Sequence, residues 1–312
     1  MSSPAHDVVP QLATLVRAPP RGAGWIFEIK YDGYRALATK EGARVQLVSR
    51  KGLVFGGLEA VRSAVAALRC KSAVLDGELC ALDAEGRPRF HLLQRALGAR
   101  GSEIVYFVFD VLFLDGVDLR ELPLTERKAR LAALVRSTDR GVVRRVAASE
   151  REGRSFLEAV RSLGLEGLVA KRAARPYRGG RSLDWQKVKV EARQEMVVVG
   201  STLPSGTRHG LGALLLGYYD ADGVLRYAGK VGTGFDEATL DTLSRRLESM
   251  RVPTPPVSPA PRMRDARWVR PELVVEVRYG EWTADERLRH PVFLGVREDK
   301  RARDVVRERP AA

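Results

Sequence analysis

Residues Glu28 to Arg35 read Glu-Ile-Lys-Tyr-Asp-Gly-Tyr-Arg (EIKYDGYR). The apolar run from Trp25 to Lys30 predicts a strand, Asp32-Gly33 a tight turn, and Tyr34 to Thr39 the strand that returns. A lysine that ends a strand just before such a turn has its amine held beside a loop that phosphates can approach. Glu28, two residues earlier, faces the same side. Taken alone, the stretch leaves two readings open: a reactive or phosphate-binding lysine, or a surface lysine ahead of an ordinary hairpin.

Further strands are predicted at Val45 to Ser49, Ala73 to Leu82, Ile104 to Leu114, Gly167 to Lys171 and Trp185 to Val190. Helical periodicity fits Leu58 to Leu68, Phe90 to Leu97, Leu124 to Val135 with Thr125 as its cap, and Arg154 to Leu163. Turn signals at Glu41-Gly42, Asp83 to Gly86 and Asp115-Gly116 sit at hairpin distances. They favour a mixed α/β class, with largely antiparallel sheets and flanking helices, over a doubly wound parallel sheet. After Lys189 the texture changes. Short strands at Glu195 to Ser201, Ala213 to Tyr219, Leu225 to Lys230 and Leu273 to Tyr279 surround one helix, Asp236 to Met250, and a Pro-rich connector, Val252 to Pro261. That pattern predicts an all-β OB-fold barrel. The expected domains are residues 1–190 and 191–312.

The 312 residues suffice for two domains with their own cores, and 45% hydrophobic with 29% charged residues excludes wholesale disorder and fibrous classes. No apolar run is long enough for a membrane-spanning helix and the start lacks a secretory signal, so the expected compartment is the cytosol. Cys70 and Cys80 match no zinc spacing and read as small hydrophobes. The net charge of +14 points to a polyanionic partner. Up to Val190 there are 33 basic against 21 acidic residues and afterwards 20 against 18, so the excess lies in the first part. Only ten of the 53 cations are lysine, so a lysine here stands where arginine is otherwise the rule. Arginine keeps its proton, whereas lysine can become a nucleophile.

Five of those lysines fall in motifs: Lys30, Lys171 in LEGLVAKR with Glu166, Lys187 and Lys189 in LDWQKVKV, and Lys300 in the Arg297 to Lys300 run. Lys187 and Lys189 share one strand face and call for an anion between them. VLDGEL carries Glu78, and YFVFDVLFLDG carries Phe109 and Asp110. His209 and His290 have no partner spacing and are assigned nothing.

The ordered series K-x-D-G-x-R, S-R-x-G (Ser49 to Gly52), D-G-E, F-D, E-G-L-V-A-K, W-x-K-x-K and R-x-D-K resembles the covalent nucleotidyltransferases, from about Pro10 to about Arg307. Within them it is most similar to the ATP-dependent DNA ligases, especially the ligase module of bacterial end-joining ligases. The resemblance implies a nucleotidyltransferase (ATP-grasp-like) adenylation domain followed by the OB-fold domain, acting on nicked or broken duplex DNA. Lys30 would attack the α-phosphate of ATP and carry AMP. Its amine must then be unprotonated, and a fall from about 10.4 to near 7.5 is worth roughly 4 kcal/mol. Lys187, Lys189, Arg35 and a divalent metal, Mg or Mn, are expected to supply it.

By position, Glu28 matches the acceptor for the adenine amino group, Phe109 the stacking aromatic, and Glu78 a ribose or metal carboxylate. Glu166 matches a metal carboxylate, and Arg35, Arg50 and Arg181 match nucleotide or phosphate contacts. Arg297, Asp299 and Lys300 match the terminal motif that reaches pyrophosphate when the barrel closes. Asp32 and Lys171 are also explained by the turn and the strand end. Lys230, in YAGKVGTGF, reads equally as a DNA contact or a hairpin residue. The implied partners are DNA and an end-binding protein such as Ku, with no membrane; the implied state is a monomer in the cytoplasm, associated with the nucleoid. Motif one begins too early for the upstream helical DNA-binding domain of some larger ligases, and nothing resembles a polymerase or phosphoesterase module. The alternative is an RNA ligase or capping guanylyltransferase. An idle DNA-binding scaffold would lack the lysine or the metal carboxylate, and both are present.

Overall fold

In the computed structural model, residues 8–98, 104–136, 138–204, 210–263 and 265–310 are described. The chain divides into two compact units, the second of which is Glu191–Arg309. The first contains, in order, β1 (Gln11–Leu15), β2 (Trp25–Lys30), β3 (Tyr34–Glu41), β4 (Arg44–Ser49), α1 (Glu59–Ala66), β5 (Ser72–Ala81), α2 (Phe90–Gly98), β6 (Ile104–Leu114), β7 (Val117–Asp118), α3 (Leu124–Leu134), β8 (Val143–Arg145), β9 (Ala148–Ser149), α4 (Gly153–Ser162), β10 (Gly167–Arg172) and β11 (Gly180–Lys189). They form two sheets, one ordered β1-β11-β10-β2-β9 and the other β4-β3-β5-β6-β7, with β8 also on β6. Pairing is antiparallel except for β1 with β11 and β6 with β8. Asp115 and Gly116, at φ 48° and 85°, make the tight hairpin between β6 and β7.

Period-2 alternation builds the layers. Ala36 and Ala38 of β3 face a core with Leu47, Leu75, Tyr106 and Val108, closed by Leu58, Val61 and Leu93 and by Leu131 of α3. Leu37, between them, turns to the opposite side and packs with Val74, Leu112, Tyr177 and Trp185. The second sheet is thus buried on both faces, against helices on one and against the first sheet on the other. Each such Leu or Val contributes about 1.5–3 kcal/mol on leaving water. On the first sheet, Phe27, Leu168, Ala170 and Val188 face Phe156 and Leu157 of α4.

The predicted strands and helices of this unit are present with ends moved by a few residues, except that β11 begins at Gly180 rather than Trp185. Strands β1, β7, β8 and β9 are additional. Thr125 does not cap α3. Pro123 holds the cap position, and the first helical N–H groups, of Leu124 and Thr125, donate to the carbonyls of Arg175 and Ala173 at 3.0 and 3.2 Å. The helix start is therefore tied to the chain that follows β10.

The second unit contains β12 (Arg193–Thr202), β13 (Leu214–Tyr219), β14 (Leu225–Val231), α5 (Glu237–Glu248), β15 (Ala266–Trp268), β16 (Val274–Arg278), β17 (Glu281–Trp282), β18 (Leu288–Arg289) and β19 (Val292–Val296). Asp236 caps α5 by accepting from Thr239 N–H at 2.8 Å. The main sheet runs β14-β13-β12-β16-β19, with β15 also on β12. Among the described residues no ladder closes β14 on β19. Thr233 and Phe293 share one backbone hydrogen bond of 2.9 Å there, so the observed sheet is an open path and not a closed barrel. No helix among the described residues is long and apolar enough to cross a membrane. Both cysteines are free thiols, Cys80 buried and Cys70 only half-buried.

Candidate active site

Directly paired residues of neighbouring strands lie on one face of a sheet. Register pairs Lys30 with Gly167 and Gly167 with Lys189, then Glu28 with Val169 and Val169 with Lys187, then Ile26 with Lys171 and Lys171 with Trp185. One face of the first sheet therefore carries Glu28, Lys30, Lys171, Lys187 and Lys189, opposite the face that packs on α4. Gly167 is required in its row, because a Cβ there would lie 2.1 Å from the carbonyl oxygen of Val188.

The Nζ of Lys30 lies 2.5 Å from Oε2 of Glu166, with the lysine side chain 23% exposed and the glutamate 3%. Burial opposes the charge on Lys30. Glu166, helped by Asp32, outweighs both burial and the like charge of Lys189, and holds the amine above its ordinary value. This corrects the expectation of a lowered value: Lys189 does act downward, but the carboxylate partner wins and the chain alone keeps Lys30 as an ammonium.

Glu28 is 2% exposed and sits between two ammonium groups. Its Oε2 is 2.7 Å from Lys171, and its Oε1 contacts Lys128 of α3. Burial pushes this carboxyl up, and the two lysines outweigh burial and leave it below the usual carboxylate range. Burial drives Lys171 down to about 8 despite Glu28, with Lys128 acting in the same direction. Lys128 joins this cluster although no motif announced it. Arg127 aims it: fully buried, Arg127 donates to both oxygens of Asp110 at 2.8 Å and to the Leu122 carbonyl at 2.7 Å.

Phe109 belongs to the cluster between the sheets. Trp185 meets its ring edge-on at 5.9 Å, and Lys171 Nζ and Arg35 Cζ lie 4.3 and 5.0 Å from its centroid. Glu78 is half-buried on β5, paired in register with Arg35 and Phe107. The thiol of Cys80 is pushed well up by burial and by the charges of Glu78, Asp32 and Glu166, against Lys30.

Arg35 is placed differently from the expectation that it contacts nucleotide. It donates to Asp76 at 2.8 and 2.5 Å and to the Gln11 carbonyl at 2.7 Å, while Tyr177 donates to the same Asp76 at 2.7 Å. Its fork is used by the fold. Arg50 follows β4 and is half-buried; Arg181 is exposed and donates to the Ala13 carbonyl at 2.5 Å; Lys187 and Lys189 are half-buried.

In the second unit, Arg297 is 8% exposed and donates to Asp299 at 2.8 and 2.9 Å and to Glu276 at 2.7 Å. Lys300 pairs with Glu195 at 2.7 Å. The terminal motif is thus a buried ion-pair network, with Arg297 committed to carboxylates of its own unit. Lys230 is exposed at the end of β14, His290 sits in a turn at φ 51°, and His209 lies outside the described residues.

No group of three or more metal-ligating side chains occurs among the described residues. Glu78 and Glu166 nevertheless fit a magnesium-type ion, which is commonly held by one or two carboxylates and completed by substrate phosphates.

Residues 10–189 match the family described as ATP dependent DNA ligase domain, and residues 207–300 match the ATP dependent DNA ligase C terminal region. The chain belongs to the ATP-dependent DNA ligase family. This ligase chain is 44% identical to the multifunctional non-homologous end joining protein LigD of Pseudomonas aeruginosa, over 97% of its own length and 37% of the relative. It is 38% identical to the LigD of Mycolicibacterium smegmatis, over 97% of itself and 40% of that protein. It therefore spans well under half of each of these two curated relatives. Among solved structures it resembles mycobacterial DNA ligase D complexed with ATP and MES, with a TM-score of 0.66 and 32% identity over 95% of this chain and 98% of that one. It also resembles the ligase domain of Mycobacterium tuberculosis LigD, with a TM-score of 0.51 and 33% identity over 97% and 99% of the two chains.

Proposed function

We propose that this ligase chain uses ATP to seal nicks or breaks in duplex DNA and acts in end-joining repair. The observation that carries the reading is Lys30, held 2.5 Å from Glu166 on the sheet face that also bears Lys187 and Lys189. Once deprotonated, the Lys30 amine attacks the α-phosphorus of ATP; an N–P bond forms and the P–O bond to pyrophosphate breaks. The DNA 5′-phosphate then attacks the same phosphorus and frees Lys30. Finally the 3′-hydroxyl attacks the 5′-phosphorus and expels AMP.

The residues divide these tasks. Lys187 and Lys189 neutralise charge on the transferring phosphate. Glu28 accepts from the adenine amino group, Phe109 stacks on the base, and Glu78 holds ribose or metal. Arg50 and Arg181 are the remaining candidate phosphate contacts. Glu166 and Glu78 would hold a divalent ion, which would supply further positive charge at the phosphates. Any engagement of Glu166 away from Lys30 removes the partner that keeps the amine protonated. The second unit is proposed as the OB-fold module of residues 191–312, with Lys300 serving the pyrophosphate end. The partners proposed are broken DNA and an end-binding protein such as Ku, for a monomer in the cytoplasm at the nucleoid.

The test is incubation with ATP labelled in the α-phosphate and a nicked duplex. Labelled protein, then adenylated DNA, then sealed strand is the expected order, with no label from GTP. Labelling by GTP in place of ATP, or no labelled protein at all, overturns the reading.

A further inference from the structure

Direct pairing across the second sheet sets Arg35 beside Glu78, Glu78 beside Phe107, and Phe107 beside Arg144 of β8. The four form one row on one face, the face that Leu37, two residues after Arg35, turns toward the first sheet. At one end of the row Asp76 has claimed the fork of Arg35. At the other end the fork of Arg144 is open. Its Nε donates to the Gly141 carbonyl at 2.9 Å, and among the described residues it makes no ion pair.

A second donor stands against the same ring. Tyr31, next to Lys30, stacks on Phe107 at 4.0 Å, and Arg144 Cζ lies 5.7 Å from the centroid of that ring. The Tyr31 hydroxyl has no hydrogen-bond partner among the described residues. Burial pushes this phenol up despite Arg144, so it stays a protonated donor. Both side chains are half-buried. A guanidinium and a phenol held beside one ring, with no acceptor of their own, suit an oxyanion: its charge meets the fork and one of its oxygens accepts from the hydroxyl. The chain around them has the same sign, since from Arg136 to Arg151 five arginines stand against Asp139 and Glu150.

Position separates this anion from the phosphates of ATP. Lys187 and Lys189, which are proposed to meet those phosphates, lie on β11, beyond β10 from Lys30. Strand β8 leads instead into β9, which pairs with β2 on its other side. We propose that Arg144 and the Tyr31 hydroxyl bind one backbone phosphate of the DNA strand brought to Lys30, on the side of β2 opposite the ATP phosphates. This rests on the reading that the chain seals nicked duplex DNA.

The test measures binding of a nicked duplex by fluorescence anisotropy across about 50 to 200 mM salt, where each neutralised phosphate adds about 0.9 to the slope of log affinity against log salt. Arg144→Gln is expected to lose about tenfold in affinity at low salt and to make the slope shallower by about 0.9. Arg144→Lys, which keeps the charge, should keep the slope. Tyr31→Phe, which removes a neutral donor, should lose a few-fold in affinity with the slope unchanged. An unchanged slope in folded Arg144→Gln, or undiminished affinity in folded Tyr31→Phe, overturns the proposal. So does a raised KM for ATP in self-adenylation with nick binding unaltered, which would put a nucleotide phosphate at the site. Should a variant fail to fold, the intact protein decides: phenylglyoxal, which modifies arginine, should spare Arg144 when nicked DNA is bound and react with it when only ATP is present, as read by peptide mass spectrometry. Equal modification in both conditions overturns the proposal. Failure of the intact protein to bind the nick at any of these salt concentrations rejects the DNA reading itself, and the proposal with it.

Discussion

Lys30 and Lys171 stand on the same sheet face, and their neighbours move them in opposite directions. Lys30 is held above its ordinary value, so its pairing stabilises the fold fully below about pH 10.4 and is lost only as pH rises through the higher folded value. Lys171, at about 8, holds fewer protons in the folded than in the unfolded chain between about pH 8 and 10.4, so its contribution to stability rises with pH across that window. Urea denaturation at intervals from pH 7 to 10 should show this rise, on the order of 2 kcal/mol, and Lys171→Met should remove it. An unchanged slope in the variant would mean that Lys171 does not titrate there. At the acid end, Glu28 sits below its ordinary value and stabilises above about pH 4.3, with loss as pH falls through the folded value.

Individual residues were unequally legible in the sequence. Strand alternation and a tight turn place Lys30 and Glu28 together in the sequence, but the resemblance was needed to give them roles. Arg35 and Arg297 carry the right charge in the right motifs, yet Asp76 and Asp299 occupy their forks. A linear pattern shows a cation but not whether a carboxylate of the same domain has already claimed it.

At the scale of elements, one buried ion pair adds to the packing of Leu124 and Leu131 in holding α3. Arg127 and Asp110 are both fully buried and join at two points, which fixes the helix on β6 and carries Lys128 to Glu28. Arg127→Leu should cost roughly 3–5 kcal/mol because Asp110 is left charged and alone, whereas Arg127→Leu with Asp110→Leu should recover much of that loss. Urea midpoints of the three proteins check this. A double variant no more stable than the single one would show that the pair does more than neutralise itself. Strands β2 and β6 were readable because their apolar runs are long and end at turn residues. Strand β1 was not, because its pairing lies in a parallel register with β11, over 160 residues away. Strands β8 and β9 have three and two residues, too few to show a period.

For the whole molecule, the proposed chemistry divides between the two units. Lys30, Glu78, Glu166, Lys187 and Lys189 belong to the first, and Lys300 to the second. Only the first step leaves pyrophosphate to be neutralised, so Lys300→Ala should slow self-adenylation at least tenfold while sealing of a pre-adenylated nick stays near normal. Equal loss in both assays would make Lys300 a DNA contact or a structural residue. Arg297→Ala is a poorer probe, because it would strand Asp299 and Glu276 and lower stability itself.

The central claim is that Lys30 is the amine that takes AMP from ATP. Its most direct test is peptide mass spectrometry of the protein after incubation with ATP and a divalent ion, beside Lys30→Arg, which keeps the charge but cannot offer a neutral amine. The account predicts AMP on the peptide containing Lys30, none on Lys30→Arg, and sealing of a pre-adenylated nick retained in the variant. AMP on another lysine, or on Lys30→Arg, would contradict it.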